Sequence, residues 1–256
     1  MDAKSSDRDV GAPLLILPGL LCDSRMFGET LAVFPGSVVV DGFYAGRNRI
    51  EAMADYAIAH MPDRCALLGH SMGARIALEV VRKAPHRVER LALVDTGVHP
   101  VRPGERESRY RLRDIGRAQG MSALVGEWLP PMMGFAALRN EALMDALYAM
   151  AVAAGLPTFE AQIEALLHRP SVDALLPTIT CPTVAMVGRQ DQWSPVAQHI
   201  SIAAAIPHAQ LRVVEGAGHM MPAEAPRAFN RQVREWLAKP PAPDFRTLPD
   251  QVEGEV

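Results

Sequence analysis

Short, continuous apolar runs recur along the chain, separated by turn residues and by segments with helical spacing. The runs occupy residues 13–17, 37–40, 65–68, 88–94, 183–187 and 211–214. Runs of this length are typical of strands that are buried on both faces of a parallel sheet. Because segments with helical spacing connect them, the pattern predicts an α/β fold with a mostly parallel central sheet of about six strands and helices on both faces.

The alternation stops between residues 98 and 177, where no apolar run has the character of a strand. Helical spacing there covers residues 104–118, 121–129, 135–153 and 158–168. Proline and glycine separate these segments. The stretch 98–177 is therefore predicted to be a helical cap insertion in an α/β core formed by residues 12–97 and 178–238. The polar termini, residues 1–11 and 240–256, are expected to be loose.

Composition and charge narrow the class of protein. The 256 residues are 49% hydrophobic and 21% charged, and the net charge of −3 differs from the basic character of a nucleic-acid binder. The three cysteines form no C-x-x-C pair, so the sequence has no zinc or redox motif. It also shows no signal-peptide run and no apolar run of membrane-spanning length. We expect a cytoplasmic protein that binds a small molecule, without nucleic acid, membrane or metal, and a homodimer is left open.

A serine lies at the junction between a predicted strand and a predicted helix. Residues 69–73 read Gly-His-Ser-Met-Gly, which matches the G-x-S-x-G nucleophile elbow in the strand–turn–helix context that this motif requires. The sharp turn exposes the Ser71 hydroxyl, and the flanking glycines relieve steric clashes. Ser71 is the predicted nucleophile. The backbone N–H of Met72, at the start of the helix, is a predicted donor to an oxyanion.

A serine nucleophile needs a histidine base that a carboxylate orients. His219 lies in a glycine-rich loop between the last strand and the last helix, from which its imidazole can reach the elbow. Asp191 and Asp95 are both candidates for the acid, since each follows a strand at the carboxyl edge of the sheet. Asp191 is favoured because its Gly-x-x-Asp loop can present a carboxylate.

Other residues near these loops are assigned to the oxyanion site and the pocket. The second oxyanion donor is expected to be the backbone N–H of Leu20, in the loop after the first strand. Trp193 and Met220, each next to a triad residue, are expected to line the substrate pocket. Trp128 and Met132 are candidates for the lining from the insertion.

The remaining histidines, cysteines and arginines have simpler interpretations. His99 is a further candidate for the pocket lining. The histidines near helix ends and loops are expected at the surface: His60, His86, His168, His199 and His208. The arginine-rich run at residues 102–117 is interpreted as a solvated helix face. Cys22 is interpreted as a buried or lining thiol, because no neighbour in the sequence would lower its pKa.

Taken together, these residues resemble the α/β-hydrolase superfamily, in its branch of small capped serine esterases. The resemblance covers residues 12–238 and rests on three motifs in the family's order, at residues 18–20, 69–73 and 216–219. It implies a serine nucleophile, an aspartate, a histidine and two backbone donors at the positions already named. It also implies that the reaction needs no cofactor.

Two features depart from the family's pattern. The oxyanion loop has Pro18-Gly19 where the family usually has His-Gly, so a polar side chain is lost while the backbone donor is kept. No predicted strand precedes Leu14, so the sheet is expected to lack the family's N-terminal hairpin.

The leading hypothesis is hydrolysis of a small carboxylic ester through an acyl-enzyme intermediate. An acyltransferase or perhydrolase would use the same residues. A carbon–carbon bond hydrolase would need polar groups on the cap side to bind an enol acid, and Arg109, Arg111 or Arg113 could supply them, although these arginines are interpreted as solvated. The alternative from another class is a small-molecule receptor with a slow triad.

Overall fold

The computed structural model describes residues 12–238 of the chain. The predicted loose tails, residues 1–11 and 240–256, lie outside this range. The α/β fold predicted from the sequence is confirmed, with one central sheet and helices packed against it.

The sheet has six strands in the order β2-β1-β3-β4-β5-β6, and every neighbouring pair is parallel. The strands are β1 (Leu14–Leu17), β2 (Val38–Val39), β3 (Cys65–His70), β4 (Val88–Val94), β5 (Thr183–Gly188) and β6 (Gln210–Val214). Strands β1, β3 and β5 are buried along their whole length, as their continuous apolar runs predict. The edge strand β2 is shorter than the predicted run and pairs with β1 at only two positions.

Ten α-helices connect and follow the strands. They are α1 (Gly28–Val33), α2 (Ile50–His60), α3 (Met72–Lys83), α4 (Glu105–Gln119), α5 (Met121–Trp128), α6 (Glu141–Ala154), α7 (Leu156–Leu167), α8 (Val196–Ala205), α9 (Met221–Glu224) and α10 (Pro226–Leu237), all within residues 12–238. Short 3₁₀ turns lie at Ser24–Phe27, Phe43–Gly46, Pro85–Arg87, Pro130–Met132, Ala137–Arg139 and Leu176–Thr178. Helices α4–α7 lie between β4 and β5, within the stretch 98–177.

A single cluster of buried apolar side chains joins the sheet, its covering helices and the insertion. Leu15 and Leu67 contribute to it from the strands, whereas Trp128 and Phe159 contribute from the insertion. In the stretch that the structure describes, no single helix has the length and composition of a membrane span. The neighbouring helices α6 and α7 reach that composition only together, and the chain bends by 87° between them.

The strand order places a crevice at the carboxyl edge of the sheet. The chain order reverses between β1 and β3, so the loops that leave these two strands diverge and open a gap between them. Ser71 directly follows β3, and the predicted oxyanion loop directly follows β1. The topology therefore brings these two segments to the same gap.

Candidate active site

Ser71 occupies a strained turn between β3 and α3. Its backbone has φ 54° and ψ −115°, a conformation that side-chain-bearing residues rarely adopt. Gly69 and Gly73 flank the turn, and a Cβ atom on either would collide with neighbouring backbone. The turn is held by hydrogen bonds from the Ser71 N–H to the Val94 carbonyl at 2.8 Å and from Thr96 Oγ1 to the Ser71 carbonyl at 2.9 Å. The hydroxyl of Ser71 therefore projects from a rigid base.

Ser71, His219 and Asp191 form one hydrogen-bonded chain. His219 Nε2 lies 2.8 Å from Ser71 Oγ, and His219 Nδ1 lies 2.8 Å from Asp191 Oδ2. Because a carboxylate only accepts hydrogen bonds, Nδ1 carries the proton and Nε2 is free to accept from the serine hydroxyl. The arrangement has the geometry of a nucleophile, a base and an orienting acid.

The Asp191 carboxylate is buried and anchored by its own loop. Its Oδ1 accepts hydrogen bonds from the N–H groups of Trp193 at 2.8 Å and Ser194 at 2.9 Å. Burial raises the pKa of Asp191, but attraction to His219 and the backbone donors outweigh this effect, and the pKa falls below its usual value. The group is therefore an anion at neutral pH and fixes the His219 ring.

The alternative acid, Asp95, lies away from the imidazole of His219. It is fully buried at the end of β4, where Oδ1 accepts the Gly188 N–H at 2.8 Å and Oδ2 lies 4.0 Å from His70 Nε2. Burial, followed by repulsion from Asp191, raises the pKa of Asp95 well above its usual range. Of the two candidates, only Asp191 contacts the imidazole of His219.

Two buried histidines support the loops behind the serine. His70 Nε2 donates to the His219 carbonyl at 2.8 Å, and burial lowers the pKa of His70 to about 3, so its ring is neutral. His199 is buried completely and accepts the Thr96 N–H at Nε2. The prediction that His199 lies at the surface is therefore wrong. The alanine-rich sequence of α8 gives little sign of which face packs on the sheet.

The loop after β1 approaches the serine closely. A Cβ atom on Gly19 would lie 3.0 Å from Ser71 Cβ and 2.9 Å from His70 Nδ1, so only glycine fits there without a shift. Leu20 lines the same cavity as Ser71. The backbone of this loop and the first turn of α3, which begins at Met72, thus both adjoin Ser71.

A cavity of about 670 Å³ opens above Ser71 and His219, and the insertion forms much of its wall. The predicted lining residues Trp128, Met132 and Trp193 all border this cavity, and His99 does as well. The interpretation of Met220 as a lining residue is wrong. Met220 is only 1% exposed and its side chain joins the apolar core where α9 begins.

The arginines of the insertion fall into two groups. Arg111 is solvated as expected, with 63% of its side chain exposed beside Glu127. Arg109 borders the cavity instead, with only 16% of its side chain exposed, so its interpretation as a solvated residue is wrong. Sequence periodicity could not distinguish the two, because both lie on α4 among other charged residues.

Glu224, which no sequence motif marks, holds the histidine loop. Its carboxylate accepts the N–H groups of Gly134 at 2.8 Å, Gly218 at 3.0 Å and Met220 at 2.8 Å. The His219 N–H in turn donates to the Met132 carbonyl at 2.7 Å. The loop that carries His219 is therefore tied directly to the insertion.

A parallel sheet that carries a Ser–His–Asp chain at its carboxyl edge, next to a cavity, defines a class of hydrolytic enzymes. Comparison with protein families agrees, since the model of the α/β hydrolase family matches residues 15–232. The chain belongs to the α/β hydrolase family.

Curated relatives have hydrolase names. A Pseudomonas savastanoi pv. phaseolicola protein named "Putative carbamate hydrolase RutD" is 28% identical over 250 residues, which cover 88% of this chain and 94% of the relative. A 2-hydroxy-6-oxononadienedioate/2-hydroxy-6-oxononatrienedioate hydrolase of Cupriavidus pinatubonensis is 28% identical over 185 residues, covering 68% of this chain and 62% of the relative. Among solved structures, a thermophilic esterase from Thermogutta terrifontis with malate bound is 28% identical, with a TM-score of 0.79 and 89% of each chain covered.

Proposed function

We propose that this protein is a serine hydrolase that cleaves a small carboxylic ester, or a related acyl compound, through an acyl-enzyme intermediate. The observation that carries the proposal is the hydrogen-bonded chain from Ser71 through His219 to Asp191, with both links at 2.8 Å. In this proposal Ser71 is the nucleophile, His219 the general base and Asp191 the group that orients it.

The first half of the reaction acylates the serine. Ser71 Oγ attacks the carbonyl carbon while His219 Nε2 takes the hydroxyl proton, and the carbonyl electron pair moves onto oxygen. The backbone N–H groups of Leu20 and Met72 donate to this oxyanion. When the tetrahedral intermediate collapses, the bond to the leaving alcohol breaks and the alcohol takes the proton from His219.

The second half releases the acid. A water molecule gives its proton to His219 and attacks the acyl carbon, which forms a second oxyanion at the same two donors. Collapse breaks the bond to Ser71 Oγ, which recovers its proton from His219. Ester and water are thereby converted to acid and alcohol, and the enzyme returns to its starting state.

The size and lining of the cavity support a small substrate with an apolar portion. A volume of about 670 Å³ lies within the range of roughly 300–1,000 Å³ that small-molecule sites occupy. Trp128, Met132 and Trp193 supply apolar surface beside the reacting centre. In this proposal the insertion acts as the cap over the bound substrate.

A chain-length profile on p-nitrophenyl esters from acetate to palmitate tests the proposal. We expect turnover of the shorter esters, with a loss of at least about 10³-fold in kcat for Ser71→Ala. Ser201→Ala, an exposed serine on α8, is the matched control and should retain activity. Full activity in Ser71→Ala would refute the proposed nucleophile.

Carbon–carbon bond hydrolysis is a second candidate, which the buried position of Arg109 favours. Such an enzyme binds an enol acid through polar groups on the cap side, and Arg109 lines the cavity from α4. One relative is named as a hydrolase of 2-hydroxy-6-oxononadienedioate, and that substrate name specifies no ester. Faster turnover of a 2-hydroxy-6-oxo-dienoate than of every p-nitrophenyl ester would favour this candidate.

The remaining alternatives differ from ester hydrolysis in the bond that is cleaved or in the molecule that accepts the acyl group. The carbamate named for another relative is a nitrogen analogue of an ester, and the same triad can attack its carbonyl. An acyltransferase or perhydrolase would pass the acyl group to an alcohol or to hydrogen peroxide rather than to water. Measuring how products partition when each acceptor is added distinguishes these activities, and binding without turnover would indicate a receptor.

A further inference from the structure

Arg75 is a buried arginine in the wall of the cavity that contains Ser71. It lies on α3 four residues after Ser71, so about 6 Å of helix rise separates the two positions. Only 6% of the residue is exposed, and it borders the cavity together with Ser71 and His219. A substrate that occupies the cavity therefore meets both Ser71 and Arg75.

The guanidinium of Arg75 has few protein partners for its five N–H donors. Within residues 12–238 its one side-chain hydrogen bond runs from Nη2 to the His99 carbonyl at 2.6 Å, and no carboxylate lies at ion-pair distance. The mechanism proposed for Ser71 does not use this charge. The remaining donors are available to a ligand in the cavity.

Two further arginines at the same end of the cavity are already paired. Arg109 Nη2 and Arg169 Nη1 bind Glu105 Oε1 at 2.9 Å and 2.6 Å, and Arg169 Nη2 binds Glu105 Oε2 at 2.8 Å. The side chain of Arg169 is only 3% exposed. Three arginines thus lie near the Glu105 carboxylate, which is hydrogen-bonded to Arg109 and Arg169 but not to Arg75.

The position of Arg75 is electrostatically unfavourable in the unliganded protein. Burial, followed by repulsion from Arg169, lowers the pKa of Arg75 to about 9, so the side chain is still a cation at neutral pH. A buried charge that has no direct ion pair costs free energy, and in a substrate cavity it is typical of a group that binds a ligand of opposite charge.

We propose that Arg75 binds a free carboxylate of the substrate, so that the enzyme acts on acyl compounds that carry a second, ionised carboxyl group. This inference rests on the proposed hydrolase function and specifies its substrate class. A planar guanidinium donates two parallel N–H bonds to a carboxylate, which suits the open donors of Arg75. Arg109 and Arg169, which share Glu105, line the same cavity, and Trp128 and Phe159 give it apolar wall for the remainder of the substrate.

Matched pairs of esters test the inference directly. Mono-p-nitrophenyl succinate, glutarate and adipate carry the free carboxylate on the acyl side, and their methyl-capped diesters remove only the charge. In a second pair the free carboxylate lies on the leaving group of 4-carboxyphenyl butyrate, and 4-methoxycarbonylphenyl butyrate is its neutral partner. We expect kcat/KM for the best charged ester to exceed that of its neutral partner by on the order of 30-fold, the effect of one buried charge pair.

Substitution of Arg75 shows whether this preference arises there. In Arg75→Met the ratio of kcat/KM for the charged ester to kcat/KM for its neutral partner should fall close to one. In Arg75→Lys this ratio should lie between the values for Arg75→Met and wild type. Because the ratio is taken within each protein, a general loss of activity cancels. Arg111→Met removes an exposed arginine of the insertion and should keep the wild-type ratio.

Binding measurements keep the inference testable if no ester is turned over. Calorimetric titration of Ser71→Ala with glutarate should show binding that is lost in the Ser71→Ala/Arg75→Met double variant. Turnover of charged and neutral esters at equal rates would overturn the carboxylate site and leave the hydrolase intact. Absence of all ester turnover would contradict the proposed ester hydrolysis, and absence of glutarate binding as well would overturn the carboxylate site.

Discussion

At the scale of single residues, the two candidate acids have different surroundings although both follow strands at the same sheet edge. Asp191 is an anion that two backbone N–H groups and His219 hold in place. Asp95 sits in a closed polar pocket beside His70, where burial raises its pKa. The sequence alone leaves both aspartates as candidates for the acid, because only the tertiary structure determines which carboxylate reaches the imidazole of His219.

Substitution of each aspartate by asparagine tests this difference. Asp191→Asn keeps the shape but removes the charge and permits the wrong tautomer of His219, so we expect kcat to fall by about 10⁴-fold. Asp95→Asn replaces a carboxyl group whose pKa is already raised, and kcat should fall less than about 10-fold. Ester hydrolysis by the two variants measures both effects, and the reverse order would move the acid to Asp95.

Gly19 gives a second prediction at this scale. A methyl group at this position would press on His70 Nδ1 and Ser71 Cβ, so Gly19→Ala should displace the loop that carries the Leu20 donor. Loss of one oxyanion donor lowers kcat by about 10²–10³-fold with little change in KM. Gly28→Ala, which has open space around the added Cβ, is the control. An equal effect of Gly19→Ala and Gly28→Ala on kcat would contradict the assignment of the Leu20 N–H as an oxyanion donor.

Local sequence patterns mark some residues of the candidate site and leave others unmarked, for physical reasons. The glycines around Ser71 and His219 leave a signature because strained turns restrict residue type. Arg75 and Glu224 leave none, since their roles depend on what packs against them. Met220 was misplaced because neighbours in a turn point in different directions, and its side chain enters the core while His219 faces the cavity.

At the scale of elements, the histidine loop and the insertion are joined through Glu224. The loop follows β6, the carboxylate lies at the end of α9, and Gly134 belongs to the insertion. A Cβ atom on Gly218 would contact the backbone of Met132 and Gly134 within 2.6 Å, so the two segments pack without space between them. The position of His219 is thus set by the insertion as well as by the sheet.

Removal of the Glu224 carboxylate should loosen this junction. Glu224→Ala leaves three backbone N–H groups without their acceptor, and each unsatisfied buried donor costs about 1–3 kcal/mol. We therefore expect the free energy of unfolding in urea to fall by at least about 2 kcal/mol, together with a lower kcat. Glu215→Ala, at an exposed ion pair with Arg189, should have little effect. Equal stability of the two variants would contradict the role of Glu224.

The strands were easier to predict than the helices. Strands buried on both faces need continuous apolar runs, and β4 matches its predicted run at both ends. Helix α8 was missed because its sequence, VAQHISIAAA, has little contrast between its buried and exposed faces. Helix α1 has only six residues, which is too short for a helical period to stand out.

At the scale of the whole molecule, the ends of the insertion are tied together where it leaves the sheet. Arg169, after α7, donates to the carbonyls of His99 and Pro100, after β4, and binds Glu105 at the start of α4. The insertion also shares its apolar cluster with the sheet. The stability of this junction depends on the charge of Glu105.

The pH dependence of stability reports on this junction. Burial raises the pKa of Glu105, but the hydrogen bond from Arg169 and attraction to Arg109 outweigh it and lower the pKa to about 2. Because the folded-state pKa is depressed from 4.5, the stabilisation is complete above about pH 4.5 and is lost as the pH falls towards 2. Urea titrations should show a stability difference between wild type and Glu105→Gln that shrinks across this window. A difference that stays constant would contradict the pairing.

The central claim is that Ser71 is the activated nucleophile of a hydrolase, and covalent labelling tests it most directly. An alkyl fluorophosphonate should phosphonylate the wild-type protein once, with loss of fluoride, and peptide mass spectrometry should place the adduct on Ser71. Ser71→Ala should acquire no label, and His219→Ala should react far more slowly because the base is missing. Labelling at another residue, or equal labelling of Ser71→Ala, would contradict the account.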